Sequence, residues 1–454
     1  MLIRLVLLAA LFGLLFGYDE GSISGALSLI SQSFAITAFF EGMIAASVPL
    51  GAVAGVIFAA IYADKLGRRK VLYICSFLFL AGAVASGLSP DQWVLSAARL
   101  VLGFSIGASA MAAPMYLAEL APAENRGVVV FAFQLLITVG IMVAYLADAA
   151  LQPLGAWRWM LALGAVPALI TLLGLRSAPE SPRWLARNGD VEQARKIIAE
   201  SQPRLNGYQV EAILTDIEKA KKDHAEDVTL RMFFQPKYRY VTIFAILSFV
   251  LPALVGINAI IYYAPIILGD SGFTTANSAL VATVGVGAVN VGMTLVSMYL
   301  IDRIGRRPLF IIGFAGTSVA MGIVVLALTM GGASEGWLLL VGLFLFIAAF
   351  AVSLGPLPWL YMAELFPFSF RSKGMAMASA GNWFFNFIVV FLFPDLLTIL
   401  GPPATFSIFL GFCLFGLIYA LIWAPETKGI SLEEISRKYT GRHHHKQAEE
   451  SAGD

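Results

Sequence analysis

Long stretches without a charged side chain alternate with short polar turns along most of the chain. Residues 42–63, 71–90, 100–118, 128–147, 159–175, 241–269, 271–301, 308–334, 336–363 and 374–394 contain no Asp, Glu, Lys or Arg. A bilayer core about 30 Å thick takes roughly 20 apolar residues of helix, so each stretch is long enough to span. Residues 396–425 add one span, and residues 2–26 supply a first that is apolar except for Arg4, Asp19 and Glu20. That first stretch ends in Tyr-Asp-Glu-Gly rather than at a small-residue cleavage site, which predicts a retained helix and not a signal peptide. The pattern predicts an all-α membrane protein with twelve transmembrane helices. Composition agrees: 59% hydrophobic and 13% charged residues, with a mean hydropathy of +0.81, lie outside the range of soluble domains. Cys75 and Cys413 fall inside apolar stretches and read as buried packing thiols.

Basic residues mark one side of the membrane. Lys65, Arg68, Arg69 and Lys70 follow helix 2, Arg126 follows helix 4, Arg303, Arg306 and Arg307 follow helix 8, and Arg371 and Lys373 follow helix 10. The intervening turns near 27–40, 269–276, 331–336 and 401–403 have no Lys or Arg, and the one before helix 6 has only Arg158. The positive-inside rule then predicts a multi-pass protein of the plasma (inner) membrane with both termini in the cytoplasm. Residues 176–240 carry many of the chain's charges and include helical patterns such as VEQARKIIAE and YQVEAILTDIEKAKK. They predict a solvated helical linker with too few apolar residues for a core of its own.

The chain repeats itself. ADKLGRRKV at 63–71 is answered by IDRIGRRPL at 301–309, and AELAPAENRG at 118–127 by AELFPFSFRSKG at 363–374. The expected organisation is a six-helix bundle over 1–176, a cytoplasmic helical linker over 177–238, a second six-helix bundle over 239–425, and a tail over 426–454. A duplicated bundle suits a transporter with its path between the halves. In each half the repeat sets acids beside cations: Asp64, Arg68, Arg69, Glu119 and Arg126, then Asp302, Arg306, Arg307, Glu364 and Arg371. Exposed ion pairs are weak one at a time, about 0–1 kcal/mol, but a network that forms and breaks with conformation can bias a two-state equilibrium.

Ionisable residues within the spans are few. Asp19 and Glu20 on helix 1 and Arg99 on helix 4 need partners there. Helix 1 runs outward and helix 4 inward, so Asp19 and Arg99 are expected at similar depth, roughly 10 Å from the outer ends of their helices, and able to meet. Such a pair can take up and release a proton as its hydration changes. Glu20, about 100° further round the helix, is expected to face water. A polar and aromatic set comprises Gln134, Asn258, Tyr262, Asn290, Trp359, Asn382, Trp383 and Asn386. Amides bond hydroxyls and an indole stacks on the apolar face of a sugar, while helix-to-helix hydrogen bonding is the other use for each amide. The spacings Gly51–Gly55 and Gly103–Gly107 predict close helix contacts, and Gly355, Pro356 and Pro358 predict a break near Trp359. No Gly-Lys dipeptide and no His-Glu-x-x-His occur, so neither a P-loop nor that zinc motif is present, and no enzyme activity, cofactor, metal or nucleic-acid partner is expected.

These residues resemble the sugar porter family of the major facilitator superfamily. The resemblance is carried by GYDEGSISG at 17–25, the two GRR loops, RLVLGFSIGASAMAAPMYLAEL at 99–120, PESPRWL at 179–185, GINAIIYYAP at 256–265, GPLPWLYMAELFP at 355–367, NWFFNF at 382–387 and PETKG at 425–429. It implies the major facilitator fold and proton-coupled or facilitative transport of a sugar by a monomer in a lipid bilayer. It implies a coupling role for Asp19 with Arg99 as its partner, and a sugar site lined by Phe16, Gln134, Ile137, Asn258, Tyr262, Asn290, Trp359, Asn382 and Trp383, with Asn386 beside them. Glu180 and Glu426 fall in its cytoplasmic gate motifs. Sugar-binding members usually carry Gln-Gln shortly before GIN, where this chain has Pro252 and Ala253. That departure leaves open a polyol or a cyclic acid as the solute, as it leaves open a uniporter.

Overall fold

The computed structural model describes residues 2–121, 126–202, 205–223, 230–270, 276–331, 335–366 and 368–429. Among these residues every regular element is helical. Hydrocarbon offers no water to bond a peptide group, so spanning backbone must satisfy itself along its own helix. Twelve helical segments are long and apolar enough to cross: Val6–Phe34, Ala38–Leu66, Arg68–Leu88, Gln92–Leu120, Phe131–Leu154, Trp157–Leu175, Pro236–Gly269, Val281–Ile304, Arg306–Met330, Glu335–Met362, Lys373–Leu400 and Pro402–Trp423. They are spans 1 to 12 in chain order. The membrane end that carries Arg68 and Arg306 is the basic end.

Span 1 packs on span 5, span 2 on span 4, and span 3 on spans 4 and 6. In the second half, span 7 packs on span 11, and span 9 on spans 10 and 12. The halves meet where span 2 lies on span 11, span 5 on span 8, and span 1 on the distal part of span 7. Away from the basic end this seam is aromatic and tight. Phe39 packs edge-on against Phe391 at 5.5 Å, and the Tyr145 hydroxyl donates to the Ile261 carbonyl at 3.0 Å.

The expected glycine contacts are present. A Cβ on Gly51 or Gly55 would collide with the carbonyl oxygens of Leu100 and Phe104, and one on Gly103 or Gly107 with those of Val48 and Ala52. Spans 2 and 4 therefore approach backbone to backbone, and lipid-like side chains could not supply that contact.

Two spans of the second half are broken near mid-membrane. In span 7 the helix Pro236–Leu254 stops, Gly256 turns with φ +87°, and a second helix begins at Ile257. In span 10 the chain widens into a π-turn over Phe350–Leu354 before Gly355 and Pro356, then resumes at Leu357–Leu365. The span 10 break follows the Gly-Pro signal. The span 7 break goes beyond the sequence expectation of one continuous helix.

Two expectations are corrected. The first helix runs to Phe34 rather than 26, because Ile23, Leu27 and Ile30 are buried and serine hydroxyls such as that of Ser33 bond back to the helix carbonyls. The connection between residues 176 and 240 is not only a solvated tether. Its helices Pro182–Arg187, Val191–Ser201 and Gly207–Asp223 pack together over Leu185, Ala194, Ile197, Ile198, Val210 and Leu214, and Arg195 pairs with Glu211 at 2.7 Å. Cys75 and Cys413 are free and buried.

The span 2–span 4 contact yields a stability prediction. Gly103→Val should cost about 1–3 kcal/mol by overpacking and lower the melting temperature in detergent, whereas Leu100→Val on the lipid-facing side of span 4 should leave it nearly unchanged.

Candidate functional site

Asp19 and Arg99 meet. The Arg99 guanidinium has no exposed surface and Asp19 is 4% exposed; Nη1 lies 3.4 Å from Oδ1. Arg99 also donates through Nε to the Ile44 carbonyl of span 2 at 3.0 Å. The pair is loosely closed, because Asp19 Oδ2 and Arg99 Nη2 have no hydrogen-bond partner among the described residues. With helix 1 extended to Phe34, Asp19 lies about 22 Å from that end at 1.5 Å per residue, deeper than the sequence suggested.

Glu20 does not face water. It is 4% exposed, with the Asn258 amide in hydrogen-bonding reach of its carboxyl and Tyr145 and Tyr262 within electrostatic reach. The helical angle separates it from Asp19 as expected, but span 1 is covered on that side by spans 5 and 7.

The polar and aromatic set lies on both halves. Phe16 faces Trp383 across the seam, ring centroids 5.3 Å apart. Trp359 packs edge-on against Phe249 at 4.7 Å. Gln134 of span 5 sits beside Gly355, at the break in span 10, and Ile137 packs its backbone against Gly17. Asn258 and Tyr262 occupy the first turns of the distal helix of span 7, both buried, and the Tyr262 hydroxyl has no partner among the described residues. Asn290 is buried on span 8. Asn382 is engaged within its own half: it donates to the Phe249 carbonyl at 2.6 Å and accepts from Asn386 at 3.0 Å. For those two amides helix-to-helix bonding is in place.

The acid and base groups at the basic end form two matching clusters. In the first half Arg68 pairs with Asp64 at 2.8 Å and with Glu119 at 3.1 Å, and Ser181 donates to Glu119. Glu180 accepts from the backbone N–H of Arg69 at 3.0 Å, at the start of span 3, while the Arg69 side chain donates to the carbonyls of Leu175 and Arg176. In the second half Arg306 pairs with Asp302 at 3.4 Å and Glu364 at 3.0 Å, and Thr427 donates to Glu364. Glu426 accepts from the N–H groups of Arg306 and Arg307 at the start of span 9, and Arg307 donates to the Leu421 carbonyl. These described ion pairs each close within one half. The side chains of Arg126 and Arg371 lie outside the described residues.

The family profile described as "Sugar (and other) transporter" matches residues 5–439. The chain belongs to the sugar transporter family. It is 37% identical over 428 residues to the probable metabolite transport protein CsbC of Bacillus subtilis, covering 94% of this chain and 92% of that one. It is 36% identical over 433 residues to the galactose-proton symporter of Escherichia coli, covering 95% and 92%. Among solved structures, the partially occluded inward-open form of the E. coli xylose transporter XylE superposes with a TM-score of 0.83 at 27% identity, covering 95% of this chain and 99% of that one. As a member of this family the protein is an integral membrane transporter with the major facilitator fold.

One buried ionisable group of this transporter escaped the sequence reading. Asp148 of span 5 is fully buried, accepts from the Gly25 N–H at 3.0 Å through Oδ2, and has no partner for Oδ1 among the described residues. It stands at the edge of an uncharged stretch, where an acid reads as the end of a span. The signal that could have found it is the apolar sequence on both sides, AYLADAAL.

Burial acts to raise the Glu426 carboxyl, but the N–H groups of Lys428, Arg306, Arg307 and Thr427 outweigh it and hold the group below its ordinary 4.5. A depressed folded value means that its stabilisation is complete above the ordinary value and is lost as pH falls through the lower one. Glu426→Gln should therefore melt lower than wild type by a constant margin from pH 8 to pH 5, equivalent to roughly 1 kcal/mol for a lost cap. The margin should narrow at more acid pH, as read by thermal unfolding across a pH series.

Proposed function

We propose that the protein carries a sugar, a hexose or a pentose, across the plasma (inner) membrane by alternating access, with a proton on Asp19 as co-substrate. The observation that carries this reading is the Asp19–Arg99 pair. It is buried at mid-span, long at 3.4 Å, and leaves one polar atom unmatched on each side, so protonation of Asp19 can compete with the ion pair. The relatives support the choice of solute and ion: one is named a galactose-proton symporter, one a D-xylose transporter, and XylE a proton:xylose symporter.

In this reading the solute lies between the halves among Phe16, Gln134, Ile137, Asn258, Tyr262, Asn290, Trp359 and Trp383, with Asn382 and Asn386 shaping the wall. The free Tyr262 hydroxyl and the Asn258 amide are suited to sugar hydroxyls. Residues 1–176 and 239–425 are the two moving bodies, 177–238 the cytoplasmic linker and 426–454 a cytoplasmic tail, and one chain suffices for the cycle. The basic end faces the cytoplasm. Ion pairs confined to single halves there, with a tight seam at the other end, fit a conformer closed toward the outside. The breaks beside Asn258 and Trp359 give spans 7 and 10 points of flexure.

The test is uptake of labelled glucose, xylose, galactose and inositol into proteoliposomes with an imposed inward proton gradient. Wild type should accumulate at least one of the sugars above equilibrium, and Asp19→Asn should abolish accumulation while retaining sugar exchange. Equilibration that ignores the gradient would make the protein a uniporter, and uptake of inositol alone would move the solute to polyols.

A further inference from the structure

Asp19 has an arginine; Glu20 has none. Among the described residues no Lys, Arg or His lies within ion-pair distance of Glu20, although it is as deeply buried as Asp19. The groups that face it are Asp19 on its own span, Tyr145 on span 5, and Asn258 and Tyr262 on span 7. The cation of span 4, Arg99, is taken up by Asp19 and the Ile44 carbonyl. An ionised carboxylate in that position would have only an amide and two phenols for company, one residue from a second carboxylate, with 4% of its surface exposed. A protonated one is neutral, and the Asn258 side chain across the seam is within hydrogen-bonding reach of it.

Glu20 also lies where the halves touch. Its span packs on the distal helix of span 7, and Tyr145, one of the groups facing it, bonds the Ile261 carbonyl of that same helix. Opening the seam away from the basic end would separate Glu20 from Asn258 and wet both.

We propose that Glu20 is a second proton-binding group of this transporter, protonated when the seam between span 1 and the distal helix of span 7 is closed and ionised when it opens. This deepens the transport reading above and rests on it for the meaning of the seam as an outer gate. Closure takes up one proton, which leaves when Glu20 returns to water. Low pH then favours the closed seam, with the closed-to-open ratio changing up to about tenfold per pH unit through the titration.

The experiment measures the distance across the seam and needs no sugar. Spin labels on Leu154→Cys and Ile399→Cys, both exposed near the ends of spans 5 and 11 away from the basic end, are placed in a Cys75→Ala, Cys413→Ala background in nanodiscs. Distance distributions are then recorded from pH 5 to pH 9. Wild type should move from a short to a long distance as pH rises, and Glu20→Gln should stay short throughout. Asn258→Leu, which keeps the acid but removes its partner, should open at lower pH than wild type. The proposal is overturned if Glu20→Gln follows the wild-type curve, if Asn258→Leu leaves the curve in place, if the wild-type distance ignores pH, or if the pH dependence is lost in Asp19→Asn and kept in Glu20→Gln. A failure of sugar–proton symport itself would register in the uptake assay and not in this one.

Discussion

An ionised side chain in the middle of a bilayer costs about 2.5–3.5 kcal/mol even on the mildest scale, and more where it has no matching charge. Arg99 is held in such a place with no exposed surface. Its solution joins three spans: a carboxylate from span 1, a carbonyl from span 2, and its own backbone in span 4. The glycine-lined approach of spans 2 and 4 is what brings the Ile44 carbonyl within reach of the guanidinium. Close backbone packing and charge neutralisation thus depend on each other in the first half. The pair is long, and among the described residues one polar atom on each side has no hydrogen-bond partner.

The same economy appears twice at the basic end. A glycine with φ +95° or +100° leads into span 3 or span 9, and a carboxylate from a distant segment, Glu180 or Glu426, accepts the orphan N–H groups at the start of the helix. The arginine that follows the glycine then reaches a second acid on span 4 or in the Leu357–Leu365 piece of span 10. Both halves carry the arrangement with matching partners, down to Ser181 and Thr427 donating to Glu119 and Glu364. Each cluster ties four chain segments of one half together, and none of the described ion pairs in it crosses the seam.

Much of this was legible in the chain itself. Twelve spans follow from uncharged stretches because a charge inside lipid is so costly that its absence is a clean signal, and the Asp19–Arg99 pair follows from the same rule read in reverse. The repeated GRR loops announced the duplicated clusters, and Gly355-Pro356 announced the break in span 10. The rest depended on neighbours. A helical angle fixes where Glu20 points but not that spans 5 and 7 cover it. Asp148 looked like a span boundary because the stretch around it was bounded by charge. Pro252 was visible as a missing amide, but the turn at Gly256 that sets Asn258 in the first turn of a fresh helix depends on backbone geometry. The commitment of Asn382 to the Phe249 carbonyl likewise depends on how span 11 is rotated against span 7.

Joint passage of a neutral sugar and a proton through the Asp19–Arg99 site, as proposed, would move net charge across the membrane. Charge movement measures this most directly: proteoliposomes adsorbed to a solid-supported membrane, with a sudden step in sugar concentration at equal pH on both sides. Wild type should give an inward transient current of positive charge for each transported sugar, growing with sugar concentration and absent in Asp19→Asn. Sugar entering the same vesicles with no charge movement would contradict joint passage.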